Sequence, residues 1–256
     1  MCLILLSLKA HPIYKFILAA NRDEYYDRPT ASAGFWDDAP YLLAGRDLRS
    51  GGTWLGITKG GKIAALTNYR DPASNKGSAP SRGELTKNYL MGRKDPSDYL
   101  ADISQDTYKY NGFSLILGGK DNLYLYSNRE DGLRLITPGI HCLSNHLIDR
   151  PWPKVVRAKE SFKRLLSEEG GLSPEDLFSL LKDRHTPEDK SLPDTGIGLE
   201  WERVLSPIFI ESPTYGTRSS TILLIDLDNH ATFFEKTFSS DSNNGMILKY
   251  EFQIKA

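Results

Sequence analysis

Cysteine and long apolar runs are both scarce in this chain, and their scarcity excludes two classes of protein. Only Cys2 and Cys142 occur among 256 residues, which is too few for a disulfide framework and favours a reducing compartment. The N-terminal apolar run, residues 2–8, follows no basic segment and is far shorter than the roughly 20 residues of a spanning helix. We therefore expect a cytoplasmic protein with no signal peptide and no integral membrane segment.

The chain also has no excess of charge of one sign and none of the common cofactor-binding motifs. The formal net charge is −1, so the composition gives no general attraction to nucleic acid or to anionic membranes. The five histidines show no zinc-binding spacing, and neither a glycine-rich phosphate loop nor a Gly-x-Ser-x-Gly motif occurs. We expect no nucleic-acid partner, no metal and no bound cofactor.

Hydrophobic patterning predicts an α+β fold in one domain that spans residues 1–256. With 39% hydrophobic residues the chain can bury a core, and no internal repeat or linker divides it. Runs of strands are separated from helical blocks, which is typical of antiparallel sheets. Strands are predicted at residues 2–8, 14–20, 51–58, 63–68, 113–117, 123–127, 133–137, 140–144, 208–210, 219–227 and 231–238. Helices are predicted at residues 83–93, 96–104, 152–168 and 174–182, and a surface loop at residues 183–200.

Cys2 directly follows the initiator methionine and is the first candidate for chemistry. A residue this small allows removal of that methionine, which leaves a thiol and a free α-amine on one residue. The reference pKa of such an amine is about 8, so it can accept the thiol proton directly or through water. Cys2 can therefore be nucleophile and base together, or it can be an inert, buried residue at the start of a strand.

Charged residues end the second predicted strand, opposite the start of the first. Antiparallel pairing of strands of this length brings Cys2 close to residues 21–23. Asp23 there can hold and orient the α-ammonium group, and Arg22 can lower the pKa of the thiol by favouring the thiolate. The alternative is a solvated, charged strand end with a capping role.

Two strand-end asparagines and one arginine complete the candidate set. The side-chain amides of Asn68 and Asn145 can donate to a developing oxyanion, or they can simply form turns. Arg218 stands at the entrance to a predicted strand, two residues after a glycine. Its guanidinium can bind a carboxylate or polarise a carbonyl, or it can form a structural salt bridge.

Six segments together resemble the NRDE family, whose eukaryotic members are called transport and Golgi organisation protein 2. They are MCLI (1–4), NRDE (21–24), GGTWLG (51–56), LTNYR (66–70), LSNH (143–146) and YGTRSS (215–220). The family is similar to N-terminal nucleophile hydrolases with cysteine, such as bile-salt hydrolases and penicillin V acylases. The resemblance implies a four-layer αββα sandwich and cleavage of amide bonds.

The resemblance also implies roles for individual residues. Cys2 matches the nucleophile and Asp23 the aspartate that orients the amine, while Asn68 and Asn145 resemble oxyanion-region residues. Arg218 resembles an arginine near the nucleophile. Three further side chains within the resembling segments are predicted to bind substrate, namely Trp54, Tyr69 and His146.

One position departs from the hydrolase pattern. Those hydrolases carry an arginine three residues before the aspartate, where this chain has Ala20. Arg22 lies two residues further on and therefore points to the same side of the strand. Arg22 can thus replace the missing arginine.

Two functions remain open at this stage. In the first, the Cys2 thiolate attacks an amide or thioester carbonyl and water releases the acyl group. In the second, the same fold carries a lipid, acyl-coenzyme A or haem without catalysis, and Cys2, His11 or His146 can be the iron ligand in the haem version. Both predict a small-molecule acyl or lipid-like ligand.

Overall fold

A computed structural model describes residues 2–130, 132–168, 171–239 and 245–255, in which two antiparallel sheets are stacked. The strands are β1 (Cys2–Leu8), β2 (Tyr14–Tyr25), β3 (Thr30–Trp36), β4 (Ala39–Asp47), β5 (Leu55–Thr58), β6 (Ile63–Asn68), β7 (Phe113–Gly118), β8 (Leu123–Ser127), β9 (Leu133–Leu135), β10 (Gly139–Leu143), β11 (Tyr215–Asp226), β12 (His230–Thr237) and β13 (Ile247–Gln253). The helices are α1 (Gly83–Met91), α2 (Pro96–Ser104), α3 (Pro153–Leu166), α4 (Pro174–Leu181) and α5 (Leu199–Val204). Short 3-10 helices lie at Pro72–Ser74, Thr107–Lys109 and Asp189–Ser191.

The layers follow the order helix, sheet, sheet, helix. One sheet has the strand order β10-β1-β2-β11-β12-β13 and the other the order β3-β4-β5-β6-β7-β8-β9. Side chains from both sheets form a shared core between them. The helices α3 and α4 cover the outer face of the first sheet, and α1 and α2 cover that of the second. The predicted α+β class and αββα arrangement are confirmed.

The strand β1 is buried along its whole length, because both of its faces are apolar. Alternate residues of a strand point to opposite faces. Ile4 and Leu6 enter the core between the sheets, whereas Leu3 and Leu5 pack against the helices. The predicted antiparallel pairing with β2 is confirmed, and it sets Cys2 opposite Arg22.

The helix α3 begins at a proline and buries one face against the first sheet. Pro153 suits the first helical position because the missing N–H has no intrahelical partner there. The buried stripe Val155, Ala158 and Phe162 has helical spacing. Lys154 is also buried in the first turn. Among the described helices, none is both long and apolar enough to cross a membrane.

Several predicted elements need correction. The strand predicted at 208–210 is wrong: this buried segment is held by separate hydrogen bonds, from Asn21 Nδ2 to Ile208 O (2.9 Å) and from Phe209 N to Asp183 O (2.8 Å). The strands β3, β4 and β13 were not predicted, and α5 begins inside the predicted loop. These segments mix polar with apolar residues and lack an apolar run as long as the one that identifies β1.

A bulge in β3 is fastened to the opposite sheet. The register with β4 shifts between Ala31 and Gly34, which leaves the backbone of Ala33 outside the ladder. Glu235 Oε1 accepts from Ala33 N at 2.6 Å, and Tyr250 Oη donates to Ala33 O at 2.9 Å. Burial raises the pKa of the Glu235 carboxyl to about 7, so this tie between the sheets titrates near neutrality.

Candidate functional site

Cys2 opens onto a cleft of about 460 Å³ at one end of the sandwich, which we call the Cys2 cleft. The thiol-bearing residue is 9% exposed and shares the face of the first sheet with Arg22, its partner across the β1–β2 ladder. Other lining residues come from distant segments, among them Thr53, Trp54, Asn68 and Arg82.

Arg22 is a buried cation stacked on an aromatic ring. Its guanidinium carbon lies 4.2 Å from the centroid of the Trp54 ring, and its Nη1 donates to Thr30 Oγ1 at 3.1 Å. The Arg22 side chain points to the same face as Ala20, as the sequence predicted, because both positions alternate with the helix-facing residues of β2. The structure thus places a positive charge beside the Cys2 thiol.

Burial dominates the titration of the Cys2 thiol. It raises the pKa, and the neighbouring Asp23 carboxylate raises it as well. Arg22 and a backbone hydrogen bond from Asp23 act in the opposite direction. In the structure as described the thiol is therefore protonated near neutral pH, and a base must remove its proton before it can attack.

Asp23 lies on the other face of the sheet, behind Cys2. Its Oδ1 accepts from Thr217 Oγ1 at 2.8 Å, and its backbone carbonyl accepts from Tyr215 Oη at 2.9 Å. Burial raises the pKa of the Asp23 carboxyl, while Lys154 and Thr217 oppose that rise. Thr217 lies opposite Asp23 in the ladder of β2 with β11, next to a one-residue bulge between Thr217 and Ser219.

The structure brings Asn68 and Asn145 together, but only Asn68 is among the residues that line the Cys2 cleft. Asn145 is fully buried, and its Nδ2 donates to Asn68 O at 3.0 Å. The backbone carbonyl of Asn145 accepts from Arg70 N at 2.8 Å. Asn145 therefore fixes the end of β6, and Asn68 is the one of the two that lines the Cys2 cleft.

A second cleft of about 470 Å³ adjoins the first, and we call it the aromatic cleft. Asn68, Arg82 and Asn111 line both clefts and so form the passage between them. The wall of the aromatic cleft combines aromatic and apolar side chains with polar and charged ones. The first group includes Tyr69, Ile197, Trp201, Leu205 and Tyr215, and the second includes Arg70, Asp71 and Asn75. Such a space suits an apolar chain or ring of a ligand whose polar part lies near Cys2.

Tyr69 lines the aromatic cleft and is held there by His146. The Tyr69 Oη and His146 Nε2 atoms are 2.9 Å apart, and Leu147 N donates to His146 Nδ1 at 2.8 Å. Burial and Arg150 lower the pKa of His146, so its ring is neutral at pH 7 and carries its proton on Nε2. His146 contacts Tyr69 and is not among the residues that line either cleft, and its predicted contact with the substrate stays a prediction.

Arg218 lines a neighbouring cavity that shares Arg22 and Trp54 with the Cys2 cleft. Its Nη1 donates to three backbone carbonyls, those of Tyr25 (2.8 Å), Tyr26 (3.2 Å) and Arg28 (3.2 Å). Arg218 thus fastens the turn after β2.

The haem version of the binding hypothesis has little geometric support. His11 lies in the turn between β1 and β2, at the opposite end of β1 from Cys2, and its Nδ1 accepts from Ile13 N at 3.2 Å. Both ring nitrogens of His146 are hydrogen-bonded. Within the described ranges, no three His, Cys, Asp or Glu side chains are gathered as a metal site.

Sequence reasoning missed three cations around the site. Arg82 lines both clefts and donates from Nη1 to Gly112 O at 2.8 Å. A cation at the start of α1 interacts unfavourably with the helix dipole. The position of Arg82 there was therefore a sequence signal for a role other than stabilising the helix. Lys154 and Arg70 are both buried. Lys154 Nζ donates to Leu205 O at 2.9 Å, and Arg70 Nη1 pairs with Glu202 Oε2 of α5 at 2.6 Å. The helical spacing of Lys154 with Ala158 and Phe162 could have shown its burial.

Comparison with known proteins places the chain in a family. A family model described as Transport and Golgi organisation 2 matches residues 1–240. The human and mouse homologs of that description are 36% and 35% identical over 277 residues, an alignment that covers all of each protein. The chain belongs to the Transport and Golgi organisation 2 family. Another member, from Drosophila melanogaster, is 30% identical over 96% of the chain and 95% of its own length.

Solved structures similar to this Transport and Golgi organisation 2 member show the fold. Two structures of conjugated bile acid hydrolase variants from Clostridium perfringens cover 99% of the chain, with TM-scores of 0.50 and 0.51. The alignments cover 97% and 98% of those chains, at 8% and 7% sequence identity. The chain has the N-terminal nucleophile hydrolase fold that its motifs predicted.

Gly52 directly precedes Thr53 of the Cys2 cleft wall and leaves no room for a side chain, so Gly52→Ala is expected to destabilise the protein by about 1–3 kcal/mol through overpacking. A Cβ at this position would lie 2.5 Å from the carbonyl carbon of Gly83 and would push α1 away from Thr53. Gly77→Ala is the matched control, because Gly77 lines the same cleft with open space around its Cβ position. Urea unfolding of both variants measures the effect, and equal stability of the two would contradict it.

Proposed function

We propose that this protein is an N-terminal-cysteine hydrolase that cleaves an acyl bond, an amide or a thioester, through Cys2. The observation that carries the proposal is the position of Cys2 in the wall of a cleft, opposite Arg22 and in front of the Asp23 carboxylate. The conjugated bile acid hydrolase, whose name states a hydrolytic activity, supports the proposal through its similar fold.

The mechanism requires a free α-amine on Cys2. Removal of Met1, which lies outside the described residues, would supply it, and the amine would take the thiol proton. The thiolate sulfur then bonds to the carbonyl carbon, and the side-chain amide of Asn68 donates to the carbonyl oxygen as it becomes negative. Collapse expels the amine or thiol leaving group, which takes the proton back from the ammonium. Water hydrolyses the remaining acyl-cysteine and restores the thiol.

The surrounding residues divide into three tasks. Arg22 stabilises the thiolate, and Asp23 orients the ammonium. Arg82 stands at the passage between the clefts and contacts the polar part of the substrate. The aromatic cleft, with Trp201 and Leu205 in its wall, receives the apolar part. Asn145 and Arg218 act indirectly. Asn145 holds the end of β6, and Arg218 holds the turn after β2.

Intact-mass analysis with an acylating probe, p-nitrophenyl octanoate, tests the proposal directly. We expect loss of Met1 and one octanoyl adduct, which disappears in Cys2→Ala and persists in Cys142→Ala. Cys142 is the matched control because it is fully buried on the helix side of the sheet and burial raises the pKa of its thiol. A chain that keeps Met1 and forms no Cys2 adduct would overturn the hydrolase mechanism.

The alternative is a carrier of an acyl or lipid-like ligand on the same fold. It is favoured by the burial of Cys2, which keeps the thiol protonated, and by the aromatic and apolar side chains in the wall of the aromatic cleft. A carrier would bind a fluorescent fatty acid equally well in the wild type and in Cys2→Ser, and Trp201→Ala would weaken that binding. If the wild type turns over p-nitrophenyl octanoate and Cys2→Ser does not, that result contradicts the carrier alternative.

A further inference from the structure

The wall of the aromatic cleft contains a buried arginine that uses only part of its hydrogen-bonding capacity. Arg70 follows β6, is 8% exposed and lines this cleft. Its Nη1 donates to Glu202 Oε2 at 2.6 Å. Its Nε and Nη2 atoms are also buried, and neither has a hydrogen-bond partner among the described residues. The cleft wall therefore includes a charged group with two buried donors that the protein itself does not satisfy.

The two donors form one edge of the guanidinium, which we call the Arg70 fork. In arginine, the N–H of Nε and one N–H of Nη2 point side by side, away from Nη1. Two parallel N–H bonds match the two oxygens of a carboxylate, and such bidentate, charge-assisted pairs are stronger than neutral hydrogen bonds. A carbonyl or a hydroxyl presents a single oxygen, so a carboxylate fits the Arg70 fork better.

Contacts on the other sides of Arg70 hold the fork in a fixed position. The backbone N of Arg70 donates to Asn145 O at 2.8 Å, and its guanidinium carbon lies 4.9 Å from the centroid of the Trp152 ring. Glu202, its ionic partner, also accepts from Thr195 N at 2.9 Å. Because the fork is ordered before a ligand arrives, binding costs little side-chain entropy.

The charges of the aromatic cleft favour an anionic ligand. Its charged lining residues are Arg70, Arg82 and Asp71. Glu202 compensates Arg70, and Arg129 lies 3.3 Å from Asp71, so both of these pairs are neutral. Within the described ranges, Arg82 bonds to a backbone oxygen and forms no ion pair. The cleft therefore keeps one positive charge, which a carboxylate would balance.

We propose that the Arg70 fork binds the carboxylate of a ligand whose apolar or aromatic body lies in the aromatic cleft. Arg70 lines this cleft and not the Cys2 cleft, so the carboxylate lies at the end of the ligand remote from the thiol. The substrate class is then an acyl compound with a carboxylate at its far end. The proposal rests on the proposed function only in taking this ligand to be the substrate of Cys2.

Calorimetric titration of the full chain with 4-phenylbutanoate and with its uncharged analogue 4-phenylbutanamide tests the proposal. We expect the acid to bind the wild type about tenfold more tightly than the amide or better, because only the acid forms the bidentate charged pair. Arg70→Lys keeps a cation for Glu202 but has no fork, and the two affinities should become nearly equal. Arg203→Lys, an exposed position on α5, is the matched control and should keep the wild-type ratio.

Two results of these titrations would overturn the proposal. Equal affinities of the wild type for acid and amide, or no detectable binding of the acid, would mean that the Arg70 fork holds only water. A preference for the acid that persists in Arg70→Lys and disappears in Arg82→Met would assign the anion to the passage between the clefts instead.

A measurement on the wild type covers the case in which Arg70→Lys does not fold. The ¹H–¹⁵N resonance of Arg70 Nε, assigned through bonds from the backbone, should move downfield when 4-phenylbutanoate is added and stay in place with 4-phenylbutanamide. An unmoved resonance at saturating acid would contradict the proposal.

The outcome is independent of the acylation experiment. Cys2→Ala should keep the preference for the acid, because the Arg70 fork does not involve the thiol. Failure of the octanoyl adduct to form would overturn the hydrolase function and leave the ratio of affinities unaffected. An octanoyl adduct on Cys2 without any preference for the acid would overturn the carboxylate site alone.

Discussion

Arg70→Met is expected to lower the free energy of unfolding by about 3–5 kcal/mol, because it leaves a buried carboxylate without its cation. The Arg70 and Glu202 side chains are 5% and 3% exposed, so water cannot replace the lost partner. Glu202 Oε1 also accepts from Thr195 N at 2.9 Å, which fixes the carboxylate in place. Urea unfolding followed by circular dichroism measures the change.

A double-mutant cycle and a surface control identify the cause of that loss. The Arg70→Met/Glu202→Leu variant removes both charges and should be less destabilised than the sum of the two single changes. Arg203→Met on the same helix breaks an exposed pair with Asp189, so we expect little change in stability. A cost for Arg203→Met equal to that of Arg70→Met would contradict the explanation by burial.

Glu235→Gln is expected to abolish most of the decrease in stability that the wild type shows between pH 4.5 and pH 7.5. The pKa of this carboxyl is raised by burial from 4.5 to about 7, so the folded protein holds the proton more tightly than the unfolded chain. Stability is therefore full below pH 4.5 and falls as the pH rises towards 7. The shift of the pKa from 4.5 to about 7 corresponds to a decrease of about 3 kcal/mol in the free energy of unfolding.

Glutamine keeps the acceptor that Ala33 N requires, so the bulge of β3 should stay fastened at every pH. The measurement is urea unfolding of wild type and variant at several pH values from 4.5 to 8. Glu251→Gln on the exposed edge strand β13 is the control, and its stability curve should run parallel to that of the wild type. Parallel curves for Glu235→Gln as well would show that Glu235 does not titrate in this range.

The sequence predicts the part of the site that is local. The apolar run of β1 and the turn after it determine the pairing with β2, and that pairing alone brings Cys2, Arg22 and Asp23 together. The strand ends that carry Asn68 and Asn145 follow from the same patterning. These contacts depend on strand alternation and on short connections, which a single sequence displays.

The remaining part depends on contacts between distant segments. Arg82, Lys154 and Arg70 reach the site from two helix starts and a loop, and nothing in their local sequence identifies the partner on the other side. The 208–210 segment was mistaken for a strand because burial, rather than pairing, accounts for its apolar residues. The location of Arg218 could not be predicted because it sits in a bulge.

That bulge has a consequence for comparing relatives of this chain. Because one extra residue separates Thr217 from Ser219, the strand changes which side its side chains face, and Thr217 reaches Asp23 while Ser219 stays beside Arg22. Deletion of the Arg218 codon would restore a regular ladder in which Thr217 still lies opposite Asp23, and it would remove the guanidinium that holds the turn after β2. Within YGTRSS, therefore, a one-residue gap at the arginine is compatible with the hydroxyl donor to Asp23, and it marks a relative in which the turn after β2 is held in another way.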